Sequence, residues 1–263
     1  MSGQRTRTIV SAEEAHIELI AEGEGPLLVL LPSSSRDSED FDAIAESFAT
    51  AGLRVLRPQP RGMGASVGRM EGLTLHDLAA DVAAVIEADG GGPAVVLGHA
   101  FGQWVARTVA ADRPDLVRGV VLAAAASKTA PLELREHLGR CANADLPDEV
   151  RLAALRVAFF APGHDPSEWL SGWHKVAGAA QRAASNATPQ AEWWTAGSAP
   201  VLDVQAEQDP WRPRDTLYQM RDDLGADRVT VVVIPSASHA LVPEQPDKLL
   251  AAVLDWMRGL ASA

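Results

Sequence analysis

The sequence predicts an α/β protein with a mostly parallel central sheet flanked by helices. Short runs rich in β-branched and other apolar residues alternate with segments whose apolar residues recur every three or four positions. This alternation is typical of a parallel sheet covered by helices on both faces. A length of 263 residues with a hydrophobic share of 47% is sufficient for one large domain with a full core.

The alternation assigns each element in chain order. The predicted strands are residues 16–21, 27–31, 53–56, 94–97, 119–123, 201–205 and 228–234. Thr74, with Asp77 three residues later and an apolar run behind it, predicts a helix capped at Thr74 and continuing through Ile86. The glycines at 90–92 are expected to end that helix before the next strand.

The pattern changes between residues 131 and 198, where helical spacings follow each other over 148–159 and 173–184. We expect a core domain of residues 1–130 and 199–263, with a helical insertion at 131–198. Two interpretations of the insertion's tryptophans stay open, since aromatic side chains can form its own small core or line a pocket roof. These tryptophans are Trp169, Trp173, Trp193 and Trp194.

Composition excludes several function classes. Lys and Arg number 23 against 35 Asp and Glu, a formal net charge of −12, which disfavours a nucleic-acid partner. Cys141 is the single cysteine, so an intramolecular disulfide and a cysteine metal cluster are excluded. Residues 1–10 have no apolar signal core, and no apolar run is long enough to span a membrane. The expectation is a cytoplasmic protein with no membrane contact.

A strand-to-turn-to-helix motif is the strongest local signal. Residues 95–106 read VVLGHAFGQWVA, an apolar strand followed by two glycines that flank Ala100 and then by a helix former. Glycines at these positions permit a sharp turn with the central residue at its tip. The segment resembles the nucleophile elbow of the α/β-hydrolase family, G-x-S-x-G, with Ala100 where that family has serine. His99 is expected to be a packed residue of the turn.

Three further segments carry the same resemblance. Residues 61–66 read RGMGAS, residues 200–210 read PVLDVQAEQDP, and residues 231–240 read VVVIPSASHA. They are similar to the family's R-G-x-G-x-S loop, its acid strand and its histidine loop, in the family's order. The resemblance extends from about residue 16 to 260 and implies an α/β-hydrolase fold, with the insertion as a helical cap. It implies Asp209 as the acid, with Glu207 and Asp203 as backups, and His239 as the base.

Ala100 has no hydroxyl, so no acyl-enzyme can form there. Three explanations stay open: an engineered Ser→Ala change, a natural enzyme using the His239–Asp209 pair directly as a general base, or a protein that binds a ligand without turnover. The family's usual His-Gly pair after the third strand is replaced by residues 32–35, PSSS, and its Asp before the Arg-Gly pair by Gln59. Departures at three places favour natural divergence.

By position in the family, the amides of Phe101 and Ser34 would form the oxyanion hole. The hydroxyls at Ser33, Ser34 and Ser35 would stand beside it. A polar turn is the simple interpretation of these serines; the alternative is that one of them is a displaced nucleophile or holds the substrate.

The resemblance implies a hydrolase acting on a small, largely apolar ester, lactone or related carbonyl compound. Trp169 and Trp173 are candidate substrate contacts. The alternatives are a lyase, isomerase or cofactor-free oxygenase that uses His239 as its base, and a ligand-binding protein on the same scaffold. No nicotinamide, flavin or phosphate motif is present, so we expect no cofactor and no metal. The partner is a small-molecule substrate, and a homodimer stays open.

Overall fold

A computed structural model describes residues 5–129 and 131–260. In this part of the chain the strands are β1 (Thr6–Ala12), β2 (Ala15–Glu22), β3 (Leu27–Leu31), β4 (Arg54–Pro58), β5 (Val67–Gly68), β6 (Ala94–His99), β7 (Val117–Ala123), β8 (Val201–Ala206) and β9 (Val229–Ile234). The α-helices are α1 (Asp42–Thr50), α2 (Leu75–Ala88), α3 (Gly102–Asp112), α4 (Leu134–Cys141), α5 (Asp148–Ala158), α6 (Lys175–Ala187), α7 (Gln190–Trp193), α8 (Gln219–Leu224), α9 (Leu241–Glu244) and α10 (Pro246–Leu260). Short 3-10 helices lie at Ser38–Phe41, Ser167–Leu170 and Arg214–Thr216.

The strands form a single sheet in the order β1-β2-β4-β3-β6-β7-β8-β9, with β5 paired to β2. β1 and β4 run antiparallel to β2, and every pairing from β4 through β3 to β9 is parallel. The predicted mostly parallel sheet is confirmed. The carboxyl ends of β3, β6, β8 and β9 therefore meet along one edge, where open α/β sheets bind ligands.

All seven predicted strands are present, but the sequence prediction omitted β1 and β5. β1 is an edge strand with no fully buried residue, so it lacks the apolar pattern that identifies a strand. β5 has only two residues, Val67 and Gly68, both exposed. Both strands form by pairing with β2, and neither has the buried apolar residues by which the other strands were predicted.

The cap of α2 forms as the sequence predicts. The Thr74 amide donates to Asp77 Oδ2 at 2.7 Å, and the Asp77 amide donates to Thr74 Oγ1 at 3.3 Å. This reciprocal pair satisfies two amides that the first turn leaves without helical partners. The helix extends two residues beyond the predicted end, to Ala88, and the Gly91 amide then closes on the Ile86 carbonyl at 2.9 Å.

The central strands of the sheet are buried on both faces. Along β6, Val95 faces the cluster covered by α1 and α10, whereas Val96 faces the cluster covered by α2 and α3. Strands covered on both sides need apolar residues at successive positions, which explains why the central strands are continuous apolar runs. The two helical layers hold the carboxyl edge of the sheet in place beneath the insertion.

Between β7 and β8, the described residues of the 131–198 insertion are helical and contain no strand. The four tryptophans fall into two pairs, and neither interpretation describes the second pair. Trp169 packs in a third apolar cluster with Phe159 and Trp211, and Trp173 lies at its border. Trp193 and Trp194 instead join the main core, where the Trp193 ring lies 5.6 Å from that of Trp104. The division at residues 131 and 198 stays a prediction.

Among the described residues, no helix is both long and apolar enough to cross a membrane.

Candidate active site

The turn between β6 and α3 places Ala100 in a left-handed backbone conformation, with φ of 48°. A non-glycine residue in this region costs about 1–2 kcal/mol, so the surrounding structure must hold it there. The Ala100 amide donates to the Ala123 carbonyl at 3.0 Å, and the Ala100 carbonyl accepts from the Gln103 amide at 3.3 Å. Ala100 is thus at the tip of a sharp strand-to-helix turn, where the sequence motif predicted it.

Both glycines of the turn are needed for space. A Cβ at Gly98 would lie 2.3 Å from the Gln103 amide nitrogen. A Cβ at Gly102 would lie 2.3 Å from the Leu31 carbonyl oxygen, at the end of β3. Both obstacles are backbone atoms, which cannot move aside cheaply. The close contact at Gly102 brings the start of α3 against the loop that follows β3.

His239 and Asp209 meet beside this turn. Asp209 follows β8 and His239 follows β9, neighbouring strands of the sheet. The His239 Nδ1 and Asp209 Oδ2 atoms are 2.9 Å apart, and both side chains are buried. Asp209 Oδ1 also accepts from the Trp211 amide at 2.8 Å. A carboxylate at Nδ1 fixes the tautomer that leaves Nε2 as the imidazole's proton acceptor.

His99 supports the backbone of His239. Its Nε2 is 2.7 Å from the His239 carbonyl oxygen. A carbonyl oxygen only accepts, so Nε2 carries the hydrogen of this bond. Burial, with a smaller contribution from the nearby His239, lowers the pKa of His99 to about 3. His99 is therefore a neutral, packed residue of the turn.

Glu244 holds the histidine loop against the insertion. Its carboxylate accepts from the Ser238 amide at 2.5 Å and from the Ala161 amide at 2.6 Å. The Ala240 amide, one residue after the histidine, donates to the Phe159 carbonyl at 2.7 Å. Burial raises the pKa of the Glu244 carboxyl. These bonds fix His239 from both sides of its loop, and the motif analysis did not single out Glu244.

Aromatic rings enclose the imidazole. The ring centroids of Trp211 and Phe159 lie 5.4 and 5.6 Å from that of His239. Trp169, a predicted contact, lies 6.4 Å from the His99 ring, and Trp173 lies 6.0 Å from the Phe159 ring. Both predicted tryptophans therefore pack against rings that contact the His239 imidazole. Phe159 and Trp211 were missed, although Trp211 lies only two residues from Asp209.

The loop after β3 carries the predicted oxyanion residues. Ser33 is buried, Ser35 has a left-handed φ of 62°, and the Ser34 hydroxyl donates to Gln181 Oε1 at 3.2 Å. In the described part of the chain, no hydrogen bond uses the amide of Ser34 or that of Phe101. Two amides without protein acceptors, on adjoining segments, are suited to a developing oxyanion.

The backup acids lie elsewhere. Asp203 pairs with Arg212, with Asp203 Oδ2 and Arg212 Nη2 3.0 Å apart in the buried core. Glu207 Oε2 accepts from the Ser236 amide at 3.4 Å. Of the three acids considered, the structure places Asp209 at the histidine. Burial raises the pKa of the Cys141 thiol to about 12, which keeps it protonated and unreactive.

Two histidines of the insertion make contacts away from His239. His174 Nε2 lies 2.9 Å from Asp37 Oδ2, and His164 Nε2 lies 3.0 Å from the Ser236 carbonyl oxygen. Within residues 5–129 and 131–260, no three His, Cys, Asp or Glu side chains form a group that could hold a metal ion. The chemistry that these residues offer is proton transfer at His239 and hydrogen bonding to a polarised carbonyl.

Two curated proteins are similar to parts of this chain. The chain is 30% identical over 163 residues to pyrrolizixenacetamide deacetylase of Xenorhabdus hominickii, an alignment covering 59% of this chain and 61% of that protein. It is 32% identical over 103 residues to 2-(acetamidomethylene)succinate hydrolase of Mesorhizobium japonicum, covering 38% of this chain and 35% of that protein. The matched regions thus span less than two thirds of these relatives' lengths.

The crystal structure of an E-2-(acetamidomethylene)succinate hydrolase superposes with a TM-score of 0.77 at 22% identity, covering 97% of this chain and 100% of that one. At that identity the likeness shows a shared fold. The model of the Alpha/beta hydrolase family matches residues 28–253, most of the chain. The protein therefore belongs to the Alpha/beta hydrolase family.

Proposed function

We propose that this protein hydrolyses a small, largely apolar ester, lactone or related carbonyl compound, with water in place of a serine hydroxyl as the nucleophile. His239 acts as the general base, Asp209 holds its tautomer and stabilises the imidazolium, and the amides of Phe101 and Ser34 hold the oxyanion. Ala100 occupies the nucleophile position without taking part in bond formation.

The reaction then has two proton transfers. Water attacks the carbonyl carbon while His239 Nε2 takes one of its protons, which forms a new C–O bond and an oxyanion. When the tetrahedral species collapses, the bond to the leaving oxygen or nitrogen breaks and the imidazolium gives its proton to the leaving atom. Water and substrate become an acid and an alcohol or amine, or a hydroxy acid from a lactone.

The observation that carries this proposal is the buried contact of 2.9 Å between His239 Nδ1 and Asp209 Oδ2. An isolated buried imidazole is a common core residue, but one oriented by a carboxylate beside a strained turn is the arrangement that general-base catalysis requires. General-base assistance raises the reaction rate by about 10²- to 10⁴-fold. An enzyme that also forms a covalent intermediate gains more than this. We therefore expect slow turnover.

Both curated relatives support hydrolysis as the reaction. One is named as a deacetylase of an acetamide and the other as a hydrolase of an acetamido-substituted succinate. Amides therefore belong in the substrate panel beside esters and lactones. The identity of these relatives is too low for their substrates to be transferred directly.

A second candidate function follows from Ala100. Without a nucleophile, the same base can remove a proton from the substrate itself, as in a lyase, isomerase or cofactor-free oxygenase. The Ala100 methyl group leaves more room at the turn than a serine would. In that case His239→Ala abolishes a non-hydrolytic reaction, whereas a binding protein loses no activity with this change.

The test compares the protein with Ala100→Ser and His239→Ala on activated esters, lactones and N-acetyl amides. We expect slow hydrolysis by the unchanged protein, at least about 10²-fold less with His239→Ala, and no acyl-enzyme by mass spectrometry. If only Ala100→Ser hydrolyses the panel, and an acyl-enzyme accumulates, the water mechanism is wrong and the scaffold is a serine hydrolase without its nucleophile. If all three are inactive, the hydrolase proposal for these substrates is overturned.

A further inference from the structure

A cavity lies beside the start of α3, next to the turn that carries Ala100. Its volume is about 50 Å³, and it opens towards solvent between α2, α3, α6 and the carboxyl ends of β3 and β4. Phe101, Gly102 and Pro32 line its inner end, and neither Ala100 nor His239 does. The cavity therefore begins at the segments that carry the candidate oxyanion amides.

The walls of this cavity are mostly apolar. Leu78 and Val82 of α2 face Val105 of α3, and Ala177 and Ala180 of α6 form the side made by the insertion. The two alanines leave open space that larger side chains at these positions would fill. An apolar space of this kind favours hydrocarbon groups, since each buried methylene contributes about 0.8 kcal/mol.

The charges in the cavity wall are paired with each other. Arg61 is its only cation among the described residues, and its Nε and Nη2 donate to both oxygens of Asp81 at 2.6 and 2.9 Å. Arg61 Nη1 donates to the Arg69 carbonyl at 3.1 Å. These bonds use three of the five guanidinium N–H groups, and Asp81 already balances the positive charge, so an anionic ligand group would enter a wall with no unpaired cation.

We infer that this cavity binds a neutral aliphatic acyl portion of the substrate, with the reacting carbonyl at the Phe101 and Ser34 amides. The inference rests on the proposed function for the position of the carbonyl. It adds a substrate class: neutral hydrocarbon acyl groups are accepted up to the length that fills the cavity, and acyl groups ending in a carboxylate are rejected. Ala180 sets the length of chain that fits.

Binding rather than turnover tests this inference. Linear methyl ketones from butan-2-one to nonan-2-one place a carbonyl at the amides and an alkyl chain in the cavity, and they cannot be hydrolysed. We expect the dissociation constant, from calorimetry, to fall about fourfold per added methylene until the cavity is full. Nonan-2-one should bind at least about tenfold more tightly than 8-oxononanoate, which has the same carbon count and a terminal carboxylate.

Two variants of α6 localise the effect. Ala180→Phe fills the cavity and should shorten the ketone chain at which affinity stops rising. Ala183→Phe adds the same side chain to the exposed face of the same helix and should leave the series unchanged. Circular dichroism checks that both variants are folded. If a variant does not fold, the ketone series on the unchanged protein still tests the inference.

An affinity that is constant along the ketone series overturns the inference, as does equal binding of 8-oxononanoate and nonan-2-one. An unchanged series with Ala180→Phe assigns the chain to another pocket and also overturns it. Ketone binding as expected without hydrolysis of any ester would count against the proposed function alone. Hydrolysis without chain-length dependence would count against the cavity assignment alone.

Discussion

Gln181 of the insertion accepts a hydrogen bond from the Ser35 amide at 2.9 Å and another from the Ser34 hydroxyl at 3.2 Å. The amide of His174, the residue before α6, donates to the Ser35 carbonyl at 2.9 Å, so the insertion holds both sides of Ser35. A Cβ at Gly178 would lie 1.8 Å from Ser35 Oγ, which shows how closely the helix packs on the loop. The insertion thus sets the position of the Ser34 amide.

We predict that Gln181→Met lowers kcat about 10- to 100-fold and changes KM by less than about threefold. Methionine preserves the side-chain volume but cannot replace the carboxamide acceptor, so the buried Ser35 amide loses its partner. The loop then relaxes and the Ser34 amide moves away from the oxyanion. Steady-state kinetics on the best substrate of the ester and amide panel measures this division.

Gln181→Asn is the matched variant, because it keeps a carboxamide acceptor without adding a buried charge and should restore part of kcat. Arg182→Met, on the exposed side of α6, controls for a change in the helix itself. If kcat is unchanged in Gln181→Met, or if only KM rises, the loop after β3 holds its position without the hydrogen bonds to Gln181.

The choice of acid gives a second prediction. Asp209→Asn should lower kcat at least about 10²-fold, because the amide can stabilise the wrong imidazole tautomer and cannot stabilise the imidazolium. Glu207→Gln, two residues earlier, should stay within about threefold of the unchanged protein. Asp203→Asn breaks a buried ion pair with Arg212 and should lower the melting temperature. Equal kinetic losses from Asp209→Asn and Glu207→Gln would contradict the assignment of Asp209.

The sequence predicts those residues of the site that lie in loops directly after the central strands. Ala100 comes directly after β6, Asp209 and His239 lie in the loops that follow β8 and β9, and parallel strands bring such positions to one edge of the sheet. For the same reason, the fold class was predictable from the alternation of elements. The exposed edge strand β1 was missed because it has no buried apolar face, although its β-branched residues favour a strand.

Contacts made across long stretches of chain were not predictable. Gln181 reaches Ser35 over 146 residues of sequence, and the Ala161 amide reaches Glu244 over 83. Each depends on how the helical insertion packs on the core, and helical periodicity gives the buried face of a helix without its neighbours. Sequence spacing identified the candidate residues, but the contacts that hold them follow only from tertiary packing.

A third prediction uses two glycines with opposite surroundings. Gly102→Ala places a methyl group 2.3 Å from the Leu31 carbonyl oxygen and should destabilise the protein by about 3 kcal/mol or more. Gly139 lies in the exposed face of α4 with no atom within 4 Å of an added Cβ. Gly139→Ala should therefore stabilise by about 0.5–1 kcal/mol through helix propensity. Thermal melts measure both changes, and similar shifts for the two variants would contradict the tight turn.

The last prediction concerns pH. Burial lowers the pKa of His99 to about 3 in the folded protein, against an ordinary value of 6.5. Between these values the unfolded chain binds a proton that the folded chain does not, so the free energy of unfolding falls as the pH decreases from 6.5 towards 3. This residue contributes a slope approaching about 1.4 kcal/mol per pH unit.

His99→Gln removes the titrating group while its amide can still donate to the His239 carbonyl. We expect urea unfolding at several pH values from 4 to 7 to give a shallower slope for this variant, by close to one proton. Ala106→Gly in α3 is the control, since a glycine in a helix lowers stability by about 1 kcal/mol without changing a titrating group. It should shift the whole curve by a constant amount. If His99→Gln gives the same slope as the unchanged protein, His99 is not the buried neutral group that destabilises the fold in acid.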